Sequence, residues 1–483
     1  MLFRHTLLYL PAQVIGPLFQ LISVVAWTHV TSESTLGVIT LVAATHELLQ
    51  TVFLAWWSQF VLRFFGSFQS KENLDRFYRT ENVVLLGSVV IQSAIAILIL
   101  WTTISPDAPV VLSVAVVGYV VTRSFNLYIA ERARVRHEVA VYSIQQITGP
   151  ALGFILGLLL IHLFGERPEW PIAGYAAAQL AAVIAVLPMT AFGWSVGPFD
   201  RSIIRQALKY GVPLIVGGGL GWISLNASRF IVSHMLGLAS AGLFAVGYGL
   251  GQRAATMAAM LVTASAFPIA VRRMEEHGSK AATLQLTDNG ALLAAILFPC
   301  VAGVFALRAE IVHVLIAGPF QAATLAILPL AALAGAIRNF RAHFGDQIFL
   351  LHRRTPVTVM INGIEAAITI IAGIILIAKW GPMGGAAASV IAATVAAAAS
   401  FAAGLSIFRL RFPVAHLARI SAATAAMVGV LHFMKGTDTW PALAFHIGGG
   451  VAVYVIALAA LYAPMWLNNR RPQGPAVQFV DRG

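Results

Sequence analysis

Fourteen apolar segments follow one another along the chain, near 7–30, 36–64, 82–104, 109–131, 143–164, 171–193, 211–235, 239–268, 288–316, 322–350, 356–378, 383–408, 417–434 and 440–466. Each is close to or above the roughly 20 residues that an α-helix needs to cross the hydrocarbon core of a bilayer. Such a series excludes a water-soluble globule. Only 10% of the 483 residues are charged, against about 25% in a soluble domain. The sequence predicts an all-α, polytopic membrane protein with about 14 transmembrane helices. The start, "MLFRHTLLYLPAQVIG", lacks a small-residue cleavage site and stays apolar as far as Val30, so it reads as the first span and not as a removed signal. The end, 467–483, is polar and contains Pro and Gly; it reads as a disordered tail.

Lysine and arginine set the orientation. With the N-terminus placed in the cytoplasm, the cytoplasmic connections, the tail, Arg4 and Arg63 hold 22 of the 31 basic residues, and the opposite connections hold Arg167, Lys379 and Lys435 alone. Both termini are therefore expected inside. The same placement accounts for the net charge of +12 through contact with anionic membrane lipids, with no nucleic acid. The outer connections, such as "SPDAP", "GERPEWP" and "KWGPMGG", leave no room for an outer domain. The single cysteine, Cys300, cannot form an internal disulfide. No HExxH, CxxC, P-loop or GxSxG pattern is present, and neither a metal nor a cofactor is expected.

The chain repeats itself. Gly16, His29 and Gly37 recur as Gly221, His234 and Gly242 at an offset of 205, and "WPIAGYAAA" is echoed by "GPMGGAAAS". An offset of six helices preserves orientation, so the repeat is parallel, about an axis along the membrane normal. It predicts two six-helix lobes, 1–200 and 201–410, followed by two extra helices over 411–466. The first span carries Pro11, Gly16 and Pro17; the seventh carries Pro213, Gly217, Gly218, Gly219 and Gly221. Interrupted helices at corresponding positions of two repeats point to a transport pathway. Gly16, Pro17 and the glycines of 217–221 are accordingly candidate hinges, with close helix packing as the alternative.

The run "NASRFIVSHMLGLASAGLFAVGYGLGQR", then "SAFPIAVRRMEEHG" and "AKWGPMGGAAASVIAAT", resembles polysaccharide transporters of the Wzx type, within the multidrug/oligosaccharidyl-lipid/polysaccharide exporter superfamily. Where members of that family often have Asp before the arginine of the first motif, this chain has Ser228. The resemblance implies a flippase of the bacterial inner membrane, moving a polyprenyl-diphosphate-linked oligosaccharide outward by alternating access for exopolysaccharide or O-antigen synthesis, alongside a polymerase of the same pathway. A lipid II flippase is the near alternative. A cation-coupled multidrug exporter would be expected to carry an acidic interior. A membrane polymerase or ligase would be expected to present a large outer loop.

Six arginines fall within spans, and ionisable groups at that depth usually face a water-filled cavity. A guanidinium keeps its proton and matches phosphate oxygens bidentately. Arg253 lies mid-span and is the first candidate to hold a diphosphate. Arg338 and Arg341 share a helix face, and line either the cavity or its cytoplasmic mouth. Arg123 aligns with Tyr119 and Asn126, either along the lumen or in an interhelical network. Arg229 lies toward the outer end of its span, a lumen candidate for the outward-facing state. Arg308 reads as snorkelling to the surface. Among the acids, Glu47, Asp346 and Glu365 are candidates for coupling to H⁺ or Na⁺, with charge pairing to a nearby arginine as the other reading. Glu47 corresponds by the repeat to Gln252, next to Arg253, and can pair with Arg253 across the cavity.

Overall fold

The computed structural model describes residues 2–68, 70–190, 198–434 and 438–469, and all regular structure among them is helical. Twelve helices are long and apolar enough to cross a membrane, which makes this a multi-pass membrane protein. The other two expected spans are the first, whose described apolar part is Leu18–Val30, and the eighth, expected over 239–268. The tail lies outside the described residues from 470 onward, as does Lys435.

The expected first lobe, 1–200, contains α1 (Leu2–Val30), α2 (Glu33–Phe53), α3 (Ala55–Phe64), α4 (Lys71–Ile99), α5 (Val110–Val135), α6 (Val139–Phe164) and α7 (Glu169–Val186). α2 and α3 form one span with a break at Leu54, whose φ of −132° departs from the helical value. Within this lobe α6 packs on α1, α5 and α7. Gly153 and Gly157 admit the rings of Tyr175 and Trp27 at distances that leave no room for a Cβ.

The expected second lobe, 201–410, contains α8 (Arg201–Leu236), α9 (Leu238–Ala306), α10 (Arg308–Leu315), α11 (Gly318–Phe340), α12 (Gln347–Leu351), α13 (Thr355–Trp380) and α14 (Pro382–Phe408). α15 (Val414–Phe433) and α16 (Trp440–Asn469) form a hairpin leaning on α9. α9 contains the eighth and ninth spans and the polar stretch between them, which the hydropathy pattern marks as a connection. That stretch is rich in helix formers and carries an i,i+4 pair, Arg272 Nε to Glu276 Oε1 at 2.7 Å, so the first helix of α9 extends into it and a second helix follows Gly278. The reversal falls at Gly278, with φ of 78°, a value that strains other residues.

α8 is likewise longer than its span. Its 36 residues rise about 54 Å, against a hydrocarbon core of about 30 Å. It runs unbroken through Pro213 and the glycines, so the expected interruption of the seventh span is not a break in this state. Its first three turns pack on the first lobe. Ile203 and Ala207 join the core formed by Trp57, Phe60 and Phe77, and a Cβ at Gly211 would sit 2.5 Å from Cβ of Trp56. Its later part packs on α13 and α14. One helix is thus anchored to both lobes, and the glycines lie between the anchors.

Candidate functional site

Two cavities lie between the lobes and share Glu47, Tyr119 and Arg123 in their walls. The larger, about 490 Å³, is also lined by His46, Gly218, Gly221, Trp222 and Asn226. The smaller, about 200 Å³, is also lined by Gln20, Tyr175, Gln179 and Arg253. The polar lining comes from α1, α2, α5, α7, α8 and α9, of which α1 opens the first lobe and α8 the second. α2 supplies Glu47 because its buried face, Leu41, Ala44, Thr45 and Leu49, turns residue 47 to the opening between the lobes.

Arg253 donates from Nη1 to the carbonyl oxygen of Gln20 at 3.0 Å, which holds the guanidinium across the lobe boundary. Arg123 makes one long contact, 3.5 Å from Nη1 to Oδ1 of Asn126; Asn126 itself is held by Gln145. Arg229 lines neither cavity. It lies near enough to Arg253 for the two charges to act on one another, and its Nε is buried with no hydrogen-bond partner among the described residues. Glu47 is exposed to the cavity and has no ion-pair partner within 4 Å among the described residues. Three guanidiniums and one carboxylate therefore share this region, with an excess of positive charge.

The other four candidates form a separate cluster in the second lobe. Glu365 accepts from Arg338 Nε at 2.7 Å through Oε1, and from Arg341 Nη1 at 2.6 Å through Oε2. Arg341 Nη2 donates to Asn362 Oδ1 at 2.8 Å, and its Nε lies 3.2 Å from Asp346 Oδ2. Asp346 accepts from Ser400 at 2.6 Å. Two cations and two anions cancel, and the four side chains are 12% exposed or less. The geometry depends on a π-turn over Arg341–Gly345. An α-helix would place residue 346 about 140° away from residue 341. The i→i+5 bond from Asp346 N to Arg341 O, 2.8 Å, stacks the two residues instead. Sequence reasoning put all four among the candidates but had no signal for the π-turn that pairs Asp346 with Arg341, nor for the part of Ser400.

The remaining candidates distribute as follows. A Cβ at Gly16 would meet the carbonyl oxygen of Gln146 at 3.2 Å; at Gly218 it would lie 2.8 Å from Thr51; at Gly219 and Gly221 it would meet nothing within 4 Å, and at Gly217 only Val359 at 3.7 Å. The side chain of Pro17 falls outside the described residues. Arg132, counted among the cytoplasmic topology charges, is instead buried against Glu81, 3.0 Å away, with Tyr128 donating to the same carboxylate. The residues missed from sequence are Tyr175, Gln179 and Gln20. A lone amide in the apolar run "AAAQLAAV" was the available signal for Gln179. Among the described residues no cluster of three His, Cys, Asp or Glu could hold a metal ion.

Contacts bridge the lobes at both ends of the region between them. On the side of the basic connections, Tyr210 packs edge-on against Phe64, ring centroids 5.3 Å apart, and Arg63 stands 5.5 Å over the Tyr210 ring. At the other end His29 Nε2 lies 3.0 Å from the carbonyl oxygen of Leu315, and Ala317 N donates to Thr28 Oγ1 at 3.3 Å.

The fold is similar to that of several solved structures. "Lipid II flippase MurJ, inward closed conformation" superposes with a TM-score of 0.76 at 15% identity, covering 95% of this chain and 100% of that one. An inward-facing multidrug resistance MATE family transporter of the MOP superfamily gives a TM-score of 0.60 at 14% identity, covering 86% and 98%. A MOP superfamily transporter from Pyrococcus furiosus, described for the reverse polarity of its binding pocket, gives 0.59 at 14% identity, covering 84% and 95%. At these identities the likeness is one of fold. No curated protein sequence matches the chain. The model of a family described as "Polysaccharide biosynthesis protein" matches residues 30–324, more than half of the chain, and the chain belongs to that family.

Proposed function

We propose that this protein is a flippase that carries a polyprenyl-diphosphate-linked oligosaccharide across the bacterial cytoplasmic membrane by alternating access. The observation that carries the reading is the pair of adjoining cavities between the lobes, where Arg123 and Arg253 face a single carboxylate, with Arg229 close by. A diphosphate brings at least two negative charges and oxygens that a guanidinium can engage in pairs. The membership in a polysaccharide biosynthesis family and the resemblance in fold to a lipid II flippase support the class of cargo. The glycines between the two anchors of α8 are the proposed hinge about which the lobes rock, with Gly16 and Pro17 of α1 as their counterpart. The basic connections face the cytoplasm, with both termini.

Purified protein in proteoliposomes should move a fluorescent polyprenyl-diphosphate oligosaccharide between leaflets, and Arg253→Ala should lower that rate by tenfold or more while inserting normally. That loss corresponds to about 1.4 kcal/mol or more, within the range of a hydrogen bond to a charged group. Normal transport by Arg253→Ala would remove the diphosphate assignment. Lipid II is the second reading, favoured by the TM-score of 0.76 to its flippase; parallel assays with lipid II and with a polysaccharide repeat unit separate the two cargoes. Coupling to H⁺ or Na⁺ is assigned to Glu47, the acid that faces the cavity, in preference to Glu365 and Asp346, whose oxygens are already engaged.

A further inference from the structure

The first three turns of α8 carry Arg201, Arg205 and Lys209 at successive intervals of four residues, all exposed. None has an ion-pair partner among the described residues, whereas Arg76, Arg79, Arg132, Arg134, Arg136 and Arg272 on the same side of the protein each have one. The nearest acid in sequence, Asp200, is turned to Arg76 and Ser202. No acid stands in the first turn of α8. Cations at a helix N-terminus oppose the helix dipole, and the free N–H groups there add to the positive potential. Asp200 caps the helix and is engaged by Ser202 and Arg76, so among the described residues no acid is left to pair with the three exposed cations.

The stripe does not end in polar surface. At about 100° per residue, Arg201, Arg205 and Lys209 share an arc of roughly 100° with Leu208, Val212 and Val216. These three apolar residues are 39%, 48% and 48% exposed. Phe199, Ile204 and Leu208 also flank the two arginines around a recess of about 250 Å³. Cations at the membrane surface followed by apolar side chains toward the core match the order of groups in a phospholipid. The opposite face of the same segment, Ile203, Ala207 and Gly211, is the part seated against the first lobe.

We propose that this face of α8 is a binding site for an anionic phospholipid, its phosphodiester held by Arg201, Arg205 and Lys209 and its acyl chain lying along Leu208, Val212 and Val216. Basic residues near a bilayer surface attract acidic headgroups. Because the segment's back face helps close the space between the lobes, an occupied site braces that closure. The inference does not depend on which cargo the central cavity takes.

The test uses full-length protein in an uncharged detergent, titrated with short-chain phosphatidylglycerol, with short-chain phosphatidylcholine, or with inorganic phosphate, and followed by thermal unfolding. Phosphatidylglycerol should raise the melting temperature saturably; the other two should not. The triple variant R201Q/R205Q/K209Q should bind phosphatidylglycerol roughly tenfold or more weakly, while R353Q/R354Q, which removes an exposed basic pair elsewhere on the same side, should bind as the natural protein does. An equal shift with inorganic phosphate would make the site a simple anion site and overturn the proposal. So would an equal shift with phosphatidylcholine, or a triple variant that keeps full affinity. Should the triple variant not fold, Arg205→Gln alone, on a fully exposed side of the helix, gives the same comparison with a smaller expected loss.

Discussion

Gly37 of α2 and Gly242 of α9 meet backbone to backbone, and the contact is reciprocal: a Cβ on Gly37 would overlap the carbonyl oxygen of Leu238, and one on Gly242 would overlap that of Glu33. Residues 33 and 37 become 238 and 242 on adding 205, the offset of the internal repeat. The two lobes therefore touch through equivalent atoms, as two subunits do across an isologous interface. Gly37→Ala or Gly242→Ala should destabilise this closed form by about 1–3 kcal/mol, the usual cost of overpacking. A cysteine placed at Thr40, which lines the smaller cavity, should then become more reactive toward a membrane-impermeant thiol reagent added from the outside. Unchanged reactivity and melting temperature would mean that the crossing is loose enough to absorb a methyl group.

Gly219 distinguishes a hinge from a packing glycine. A Cβ there meets nothing within 4 Å, so alanine adds no clash in this state and removes the conformational freedom of glycine from the middle of a helix. On propensity alone Gly219→Ala should stabilise the protein by about 0.5–1 kcal/mol. If α8 flexes here during transport, the same change should slow cargo movement several-fold. A rise in melting temperature together with a fall in flipping rate is the expected pair; a rise in both would place the hinge elsewhere.

Much of the architecture is visible in the chain because membrane insertion writes it there. Span length follows from bilayer thickness, and the asymmetry of Lys and Arg led to the expected orientation. Gly37 and Gly242, 205 residues apart, stood out in the sequence, and they lie where two backbones meet and a Cβ does not fit. The candidate site was legible as a set of residues and not as an arrangement. Arg338, Arg341, Asp346 and Glu365 were all visible as charges at membrane depth, yet their pairing hangs on a π-turn that no residue pattern announces. Arg132 and Glu81 read as loop charges because hydropathy cannot tell a helix end in water from one folded under Trp57 and Tyr128. The basic residues of α8 read as topology charges for a related reason: a count of charges has no faces, and their alignment with Leu208, Val212 and Val216 appears only once the helix is drawn.

Asp200 caps α8 and ties it to α4. It accepts from the Ser202 hydroxyl at 2.6 Å and the Ser202 amide at 2.7 Å, and pairs with Arg76. The Ser202 hydroxyl foremost, then the Ser202 amide and Arg76, hold its carboxyl below the ordinary aspartate range. A carboxyl depressed in the folded state contributes stability above its unfolded pKa of about 3.9, and that contribution is lost as pH falls through the lower folded value. Asp200→Asn keeps a competent cap and removes the charge. The variant should be less stable than the natural protein by under about 1 kcal/mol at pH 7, as for an exposed pair. The difference should shrink on acidification below pH 4, followed by thermal unfolding across that range. A difference that stays constant with pH would show that the charge of Asp200 is not what matters.

Glu47 and Glu365 are both carboxylates at membrane depth, and their surroundings assign them opposite behaviour. Glu365 satisfies two guanidiniums in a buried, neutral cluster, and removing one partner of such a cluster leaves uncompensated charge at a cost of about 3–5 kcal/mol. Glu365→Gln should therefore lower the melting temperature markedly and reduce the amount of folded protein. Glu47 opens into the cavity with no ion-pair partner among the described residues, so Glu47→Gln should leave the stability within about 0.5 kcal/mol of that of the natural protein, as for a substitution that breaks no contact. Its effect should appear in transport. A carboxylate facing Arg123 and Arg253 competes with an anionic cargo and can take up a cation when that cargo arrives. Flipping by Glu47→Gln in proteoliposomes should respond less to an imposed pH or Na⁺ gradient than flipping by the natural protein. If both variants unfold alike, or if the gradient response survives in Glu47→Gln, coupling does not run through the cavity carboxylate.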